Sequence, residues 1–220
     1  EGSWSVEKVI TIPTKKVQGW ILDEMPAVIT DILISLDDRY LYIVCWLHGD
    51  IRQYDISDTR HPKLVGQVFT GGCIYKGGPV KVLQDEELKE QPERCVIKGK
   101  PVRGAAQMLQ LSLDGKRLYA TTSLYSAWDK QFYPELYEFM DAAAGRCPVS
   151  LSASVSLCEP LFGDDMGKGA MMLRVNVNNH KGGLCIDREF LVDFGEEPAG
   201  PVLAHEMRFP GGDSTSDIWL

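Results

Sequence analysis

The stretch Ser35-Leu36-Asp37-Asp38-Arg39-Tyr40-Leu41-Tyr42 returns downstream as Ser112-Leu113-Asp114-Gly115-Lys116-Arg117-Leu118-Tyr119. Each copy follows an apolar run and leads into a second one, with Asp-Asp or Asp-Gly at the point of reversal. Such pairs favour tight turns, so each copy reads as strand, turn, basic residue, strand. A hairpin repeated within one chain points to a β-propeller, whose blades bury their faces only against neighbouring blades. A sandwich or barrel would also be all-β, but neither predicts the same hairpin twice.

Outward from the repeat, short β-patterned runs dominate. Residues 6–12 alternate and end at Pro13, and residues 29–35 and 40–46 flank the first turn. Residues 51–56, 108–113, 118–122, 171–177 and 190–194 read the same way, punctuated by Gly71-Gly72, Gly77-Gly78, Gly182-Gly183 and Gly211-Gly212. The clearest helix candidate is the short acidic run 85–90, too short to organise a fold. The expected class is all-β.

The 220 residues carry 23 basic and 31 acidic side chains, a formal net charge of −8. That balance argues against nucleic-acid binding and against a polybasic membrane anchor, both of which need clustered Lys and Arg. No run approaches the ~18–20 apolar residues needed to span a bilayer. The first residue is Glu1, so the chain reads as a processed product or a fragment of a longer one. Six widely spread cysteines, with no C-x-x-C pair, read as reduced thiols of a cytosolic protein. Cys45 and His48 have C-x-x-H spacing, but positions three apart on a strand face opposite ways. They could share a metal only if the chain turns between them.

Residues 137–168 break the rhythm with Ala142-Ala143-Ala144, a serine-rich run at 150–156, Pro160 and Asp164-Asp165. A loop this long is unusual inside a compact domain, and the stretch reads as a disordered insertion.

Several longer motifs resemble the selenium-binding proteins, the methanethiol oxidase family. They are Trp46-Leu47-His48-Gly49-Asp50-Ile51-Arg52-Gln53-Tyr54-Asp55-Ile56-Ser57, Gly77-Gly78-Pro79-Val80, Ser123-Leu124-Tyr125-Ser126-Ala127-Trp128-Asp129-Lys130-Gln131-Phe132-Tyr133-Pro134, Leu203-Ala204-His205-Glu206 and the final Asp217-Ile218-Trp219-Leu220. Members are about twice this length, so the resemblance covers a C-terminal half. It implies part of a seven-bladed ring that needs the N-terminal blades to close. It also implies that the selenium-carrying cysteine lies in the absent half, and that residues 137–168 have no family counterpart and look like a translated intron or alternative exon.

The activity implied is oxidation of methanethiol by dioxygen and water to formaldehyde, hydrogen sulfide and hydrogen peroxide. This chain alone is expected to be marginally stable, aggregation-prone and inactive. The resemblance further implies selenium binding, cytosolic and nuclear locations, peripheral membrane association and copper held by histidines. A second reading is a non-catalytic propeller scaffold in intra-Golgi transport, since fold does not fix function.

A singlet thiol and triplet oxygen react slowly together, so a redox metal is the economical solution, and imidazole suits copper. Of four histidines, His61 precedes Pro62 in a turn and His180 lies in Asn178-Asn179-His180-Lys181-Gly182, so both read as exposed. His48 and His205 each end an apolar run and are closely followed by an acid, Asp50 or Glu206. Each is either a copper ligand at the channel end of a blade or a structural histidine bonded to a backbone carbonyl. Asp37, Asp38, Asp114 and Gly115 read as turn formers. Trp128-Asp129-Lys130 reads as a packed Trp beside a solvated charge pair.

Overall fold

Both copies of the repeated stretch form the same locked turn. Ser35 Oγ donates to Asp37 Oδ1 at 2.5 Å and accepts from Tyr40 N at 2.8 Å. Its counterpart Ser112 Oγ donates to Asp114 Oδ1 at 2.6 Å and accepts from Arg117 N at 3.0 Å. The residue at the reversal has positive φ in each, 54° at Asp38 and 66° at Gly115, which is why Asp or Gly stands there. Hydrogen bonds from the Ser112 hydroxyl and the Lys116 N–H hold the exposed Asp114 carboxyl down to about 2. The stability it lends is therefore present above the ordinary carboxylate range and is lost as pH falls towards that value. Ser112→Ala is expected to cost about 1 kcal/mol, read as a lower urea midpoint at unchanged slope. An unmoved midpoint would show that the hydroxyl does not hold the turn.

The computed structural model describes residues 3–124, 126–133, 169–198 and 201–209. The predicted 137–168 insertion therefore lies outside the described residues. The chain runs through β1 (Lys15–Gln18), β2 (Glu24–Met25), β3 (Ile29–Ile34), β4 (Tyr40–Cys45), β5 (Asp50–Asp55) and β6 (Lys63–Phe69). It continues through β7 (Lys81–Gln84), β8 (Val96–Ile97), β9 (Lys100–Pro101), β10 (Met108–Leu111), β11 (Arg117–Thr121), α1 (Ser126–Phe132), β12 (Met171–Val177) and β13 (Leu184–Asp193).

Two four-stranded antiparallel meanders, β3-β4-β5-β6 and β10-β11-β12-β13, carry the repeat. A three-stranded sheet, β2-β1-β7, and the small β8-β9 pair accompany them. The class is all-β as expected, and no sheet closes on itself among the described residues.

The stacking of the two meanders separates a propeller from a sandwich. In the repeat, Leu118 and Ala120 correspond to Leu41 and Ile43, while Tyr40 and Tyr42 correspond to Arg117 and Tyr119. The main core joins Leu118 and Ala120 of the second sheet to Tyr40, Tyr42 and Val44 of the first. Equivalent sheets thus meet through non-equivalent faces, head to tail. Such contacts propagate around a ring, whereas a two-sheet sandwich has no further face to fill. The first strands β3 and β10 lie side by side, as do the last strands β6 and β13. Asp31 Oδ2 accepts from Leu109 N at 2.7 Å, and Gln53 Oε1 accepts from Gly183 N at 2.7 Å. These contacts join the sheets at their inner and outer margins.

Three local expectations are corrected. Residues 6–12 alternate in sequence but form no strand, because no neighbour offers them a ladder. Instead Ile10 and Ile12 pack beside Leu41, Ile43 and Cys45 on the first sheet's outer face. The 85–90 run is not helical: Asp85 Oδ1 takes the Glu87 and Leu88 N–H groups at 2.6 and 3.0 Å as a helix cap would, but no helical turn follows. The strand read at 190–194 is the end of the ten-residue β13. No helix among the described residues is long and apolar enough to cross a membrane.

Candidate functional site

The motif Trp46-Leu47-His48-Gly49-Asp50 forms the turn between β4 and β5. Trp46 N and Leu47 N donate to Val28 O and Ala27 O at 3.0 and 3.1 Å, and Gly49 N closes the turn onto Cys45 O at 2.8 Å. Gly49 sits at φ 73°, pressed against Gly71 and Gly72, and Thr70 N donates to its carbonyl at 2.8 Å. Trp46 is fully buried among Trp128, Phe132 and Tyr133, whose ring centroids lie 5.3–6.0 Å from its own. The Tyr133 hydroxyl donates to the Trp46 carbonyl at 3.2 Å. This aromatic block, carried partly by α1, fixes the turn against the second sheet.

His48 is fully buried, with Nε2 3.0 Å from Met25 O. A carbonyl only accepts, so Nε2 holds the proton and Nδ1 is a lone pair. That lone pair is buried with no hydrogen-bond partner. Burial pushes the ring's pKa down against the Met25 hydrogen bond, and the nearby Lys15 and Arg52 charges act in the same direction.

His205 places Nδ1 2.6 Å from Leu124 O, so its proton also sits on a carbonyl-bound nitrogen. Its own carbonyl accepts from Thr121 Oγ1 at 2.7 Å and from Gln107 Nε2. His48 follows the second strand of its sheet, and His205 is bonded just beyond the second strand of the other. Both therefore lie at the same end of the meanders.

A carbonyl-bound imidazole keeps its second nitrogen deprotonated, the form a metal requires, so the buried Nδ1 of His48 has the chemistry of a single copper ligand, while His205 is exposed. No three His, Cys, Asp or Glu side chains that could hold a metal come together among the described residues. The chain does turn between Cys45 and His48, the condition for their sharing a metal. Even so, Cys45 is buried on β4, where burial and then Asp50 push its thiol pKa up. Cys95 and Cys185 are free thiols like Cys45.

His61 is exposed and pairs with Asp58 at 2.9 Å, and His180 is exposed in the β12–β13 turn, both as expected. The expectation for Trp128-Asp129 is reversed. Trp128 is 47% exposed, while Asp129 is fully buried, accepting from Ser123 Oγ at 2.9 Å and Leu124 N at 3.1 Å.

A buried ionic cluster next to His48 escaped the sequence reading. Arg52 is fully buried and donates through Nε to Asp50 Oδ2 at 2.8 Å. Its Nη1 and Nη2 reach both oxygens of Glu87 at 3.0 and 2.8 Å. Burial opposes the Arg52 charge, but the Glu87 hydrogen bonds and Asp50 more than offset it. Gln67 Nε2 donates to Asp50 Oδ2 at 2.6 Å, and Lys15 pairs with Asp85. In sequence Arg52 stands between Ile51 and Gln53 in a strand run, where nothing marks it as interior. Its burial comes from loop 85–88 and the N-terminal segment, which no periodicity reveals.

Comparison with known proteins gives a consistent set of relatives. A family model described as 56kDa selenium binding protein matches residues 1–150 and 146–220. The chain is 59% identical to methanethiol oxidase of Homo sapiens over 219 residues, all of this chain and 40% of that protein. It is 57% identical over 220 residues to methanethiol oxidase of Xenopus laevis and to selenium-binding protein 2 of Mus musculus, again covering 40% of each. The X-ray structure of a hypothetical selenium-binding protein from Sulfolobus tokodaii is similar at a TM-score of 0.66 and 35% identity, covering all of this chain and 38% of that one. The chain thus spans about two-fifths of the length of the relatives it matches.

Proposed function

Because the chain belongs to the 56kDa selenium binding protein family, we propose that it forms part of a methanethiol oxidase. The observation that carries this reading is 57–59% identity to proteins of that name along the whole chain. The reaction takes methanethiol, dioxygen and water to formaldehyde, hydrogen sulfide and hydrogen peroxide. Copper would supply one-electron steps between the thiol and oxygen.

His48 and His205 would each contribute one nitrogen to the metal, with further donors from outside the described residues. The Met25 carbonyl holds the His48 proton on Nε2, and the Leu124 carbonyl holds the His205 proton on Nδ1. The aromatic block around Trp46 packs against the turn that carries His48, which is fully buried. Selenium would be carried by a cysteine beyond these 220 residues.

The open faces support a need for further blades. Ile29 and Ile32 are 53% and 57% exposed on the first sheet, and Leu113 is 69% exposed beside the second. Unfilled sheet faces and edges of this kind invite aggregation. The chain by itself is therefore catalytically incomplete, and the relatives' additional length would close the ring. Residues 137–168 would be an insertion between β11 and β12, a reading that rests on their break with the strand rhythm of the sequence.

The test is methanethiol consumption with peroxide and sulfide release, by this chain and by a protein of the relatives' full length, each loaded with copper. Activity confined to the longer protein is expected, and His205→Ala is expected to lower its bound copper and abolish turnover. Full copper content in that variant would remove His205 from the site. A folded, copper-loaded long protein without turnover would leave the family's scaffold role in place of the oxidase.

A further inference from the structure

Asp129 is fully buried, although the sequence around it reads as a solvated charge pair. It stands in the first turn of α1, and its carboxylate reaches back to the segment that leads into the helix. Oδ2 accepts from Ser123 Oγ at 2.9 Å, and Oδ1 accepts from Leu124 N at 3.1 Å. A desolvated carboxylate holds its donors tightly, so this connecting segment is fixed from behind.

What Asp129 fixes is Leu124, whose N–H it binds and whose carbonyl takes the His205 ring at Nδ1, 2.6 Å away. The main chain of His205 is held separately, since its carbonyl accepts from Thr121 Oγ1 at 2.7 Å and from Gln107 Nε2. Gln107 is itself tied to Thr121, through N to the Thr121 carbonyl at 2.9 Å and through Nε2 to Oγ1 at 3.2 Å. The end of β11 therefore carries the histidine's backbone, and Asp129 carries the carbonyl that orients its ring.

An unrestrained neutral histidine ring favours its proton on Nε2. The Leu124 carbonyl imposes the other tautomer on His205, with the proton on Nδ1 and the lone pair on Nε2. His48 is enclosed, but His205 is exposed, so burial does not hold its ring and its tautomer depends on where Leu124 stands.

We propose that Asp129 is a positioning residue for His205: by holding Leu124 it sets the ring's tautomer and makes Nε2 the nitrogen that would meet copper. The second half of this assignment rests on the oxidase reading given above, and the first half does not.

The first half is tested on this chain without metal, with its histidines isotopically labelled on the ring nitrogens, in mildly alkaline solution where imidazoles are neutral. The ring-nitrogen NMR shifts report the tautomer directly. His205 is expected to be protonated on Nδ1 in the parent and in Asp129→Asn, whose amide can accept from Leu124 N and donate to Ser123 Oγ. In Asp129→Ala it is expected to move towards the Nε2 form, while His48 keeps its proton on Nε2 and so reports that the first sheet is intact. A parent with His205 protonated on Nε2 overturns the proposal with no variant needed, and so does a folded D129A that keeps the Nδ1 form. If D129A loses the His48 signal, Asp129→Ser is read in its place by the same criterion. The second half is tested in copper-loaded protein of the relatives' full length. Copper affinity is expected to fall about 10–100-fold in D129A and to return in D129N, the usual range for losing a group that orients a metal ligand. A changed tautomer with unchanged copper affinity and an unchanged copper EPR spectrum overturns the second half alone and removes His205 from the metal.

Discussion

Gly49→Ala is expected to unseat the turn that holds His48, at a cost well beyond that of an ordinary glycine replacement. At φ 73° an alanine occupies the left-handed region, which alone costs about 1–2 kcal/mol. The larger cause is steric. A Cβ at this position would overlap the Gly71 carbonyl oxygen and crowd the Gly71 carbon at 3.0 Å and Gly72 Cα at 3.4 Å. The obstacle is backbone on both sides, so no side chain can rotate away. Relief requires the β4–β5 turn to separate from the segment after β6, breaking the bond from Thr70 N to the Gly49 carbonyl.

The total is expected on the order of 4 kcal/mol or more, among the largest effects a single substitution has. It would be read as a drop in Tm and as exposure of the Trp46 indole, visible as a red shift in its emission. If the variant melts within a degree or two of the parent, the close approach of Gly49 to Gly71 is not rigid.

The Gly49 case shows what the sequence could convey. Turn chemistry was legible because it is local: Ser35-Asp37 and Ser112-Asp114 fix their own reversals, and comparing two copies exposed the architecture. The strands beside those turns followed to within one or two residues. Long-range causes were not legible. Residues 6–12 have the alternation of a strand, but a strand also needs a partner ladder, and none reaches them. The 85–90 run has helix-favouring composition, but its acids Asp85 and Glu87 are held by Lys15 and Arg52, which lie far away in sequence.

The candidate site divides along the same line. His48 and His205 could be picked from their position after apolar runs, and both do lie on carbonyls at the same end of the sheets. That His48 carries its proton on Nε2 and His205 on Nδ1 depends on Met25 and Leu124, residues 23 and 81 positions away. Trp128 and Asp129 show the limit most plainly. On a helical turn their burial is decided by which side faces Ser123 and Leu124, and a polar acid won the interior because it satisfies two donors there.

Arg52→Met is expected to destabilise the protein by about 3–5 kcal/mol, although it replaces a charged side chain with an apolar one in an interior position. The penalty does not come from losing a favourable ion pair, since taking both partners out of water offsets much of their attraction. It comes from what remains: Asp50 is 0% exposed and would keep only Gln67 as a partner for its ionised carboxylate. Glu87 is 31% exposed and can turn to water, so Asp50 bears most of the cost. Adding Asp50→Asn to Arg52→Met should therefore restore a large part of the loss, and adding Glu87→Gln instead should restore little. Urea denaturation of the three proteins decides it, provided the slopes agree. Equal recovery from both second substitutions would place the unpaired charge at the loop rather than in the sheet. No loss in Arg52→Met itself would mean that water already reaches Asp50 and that the cluster is not a closed interior.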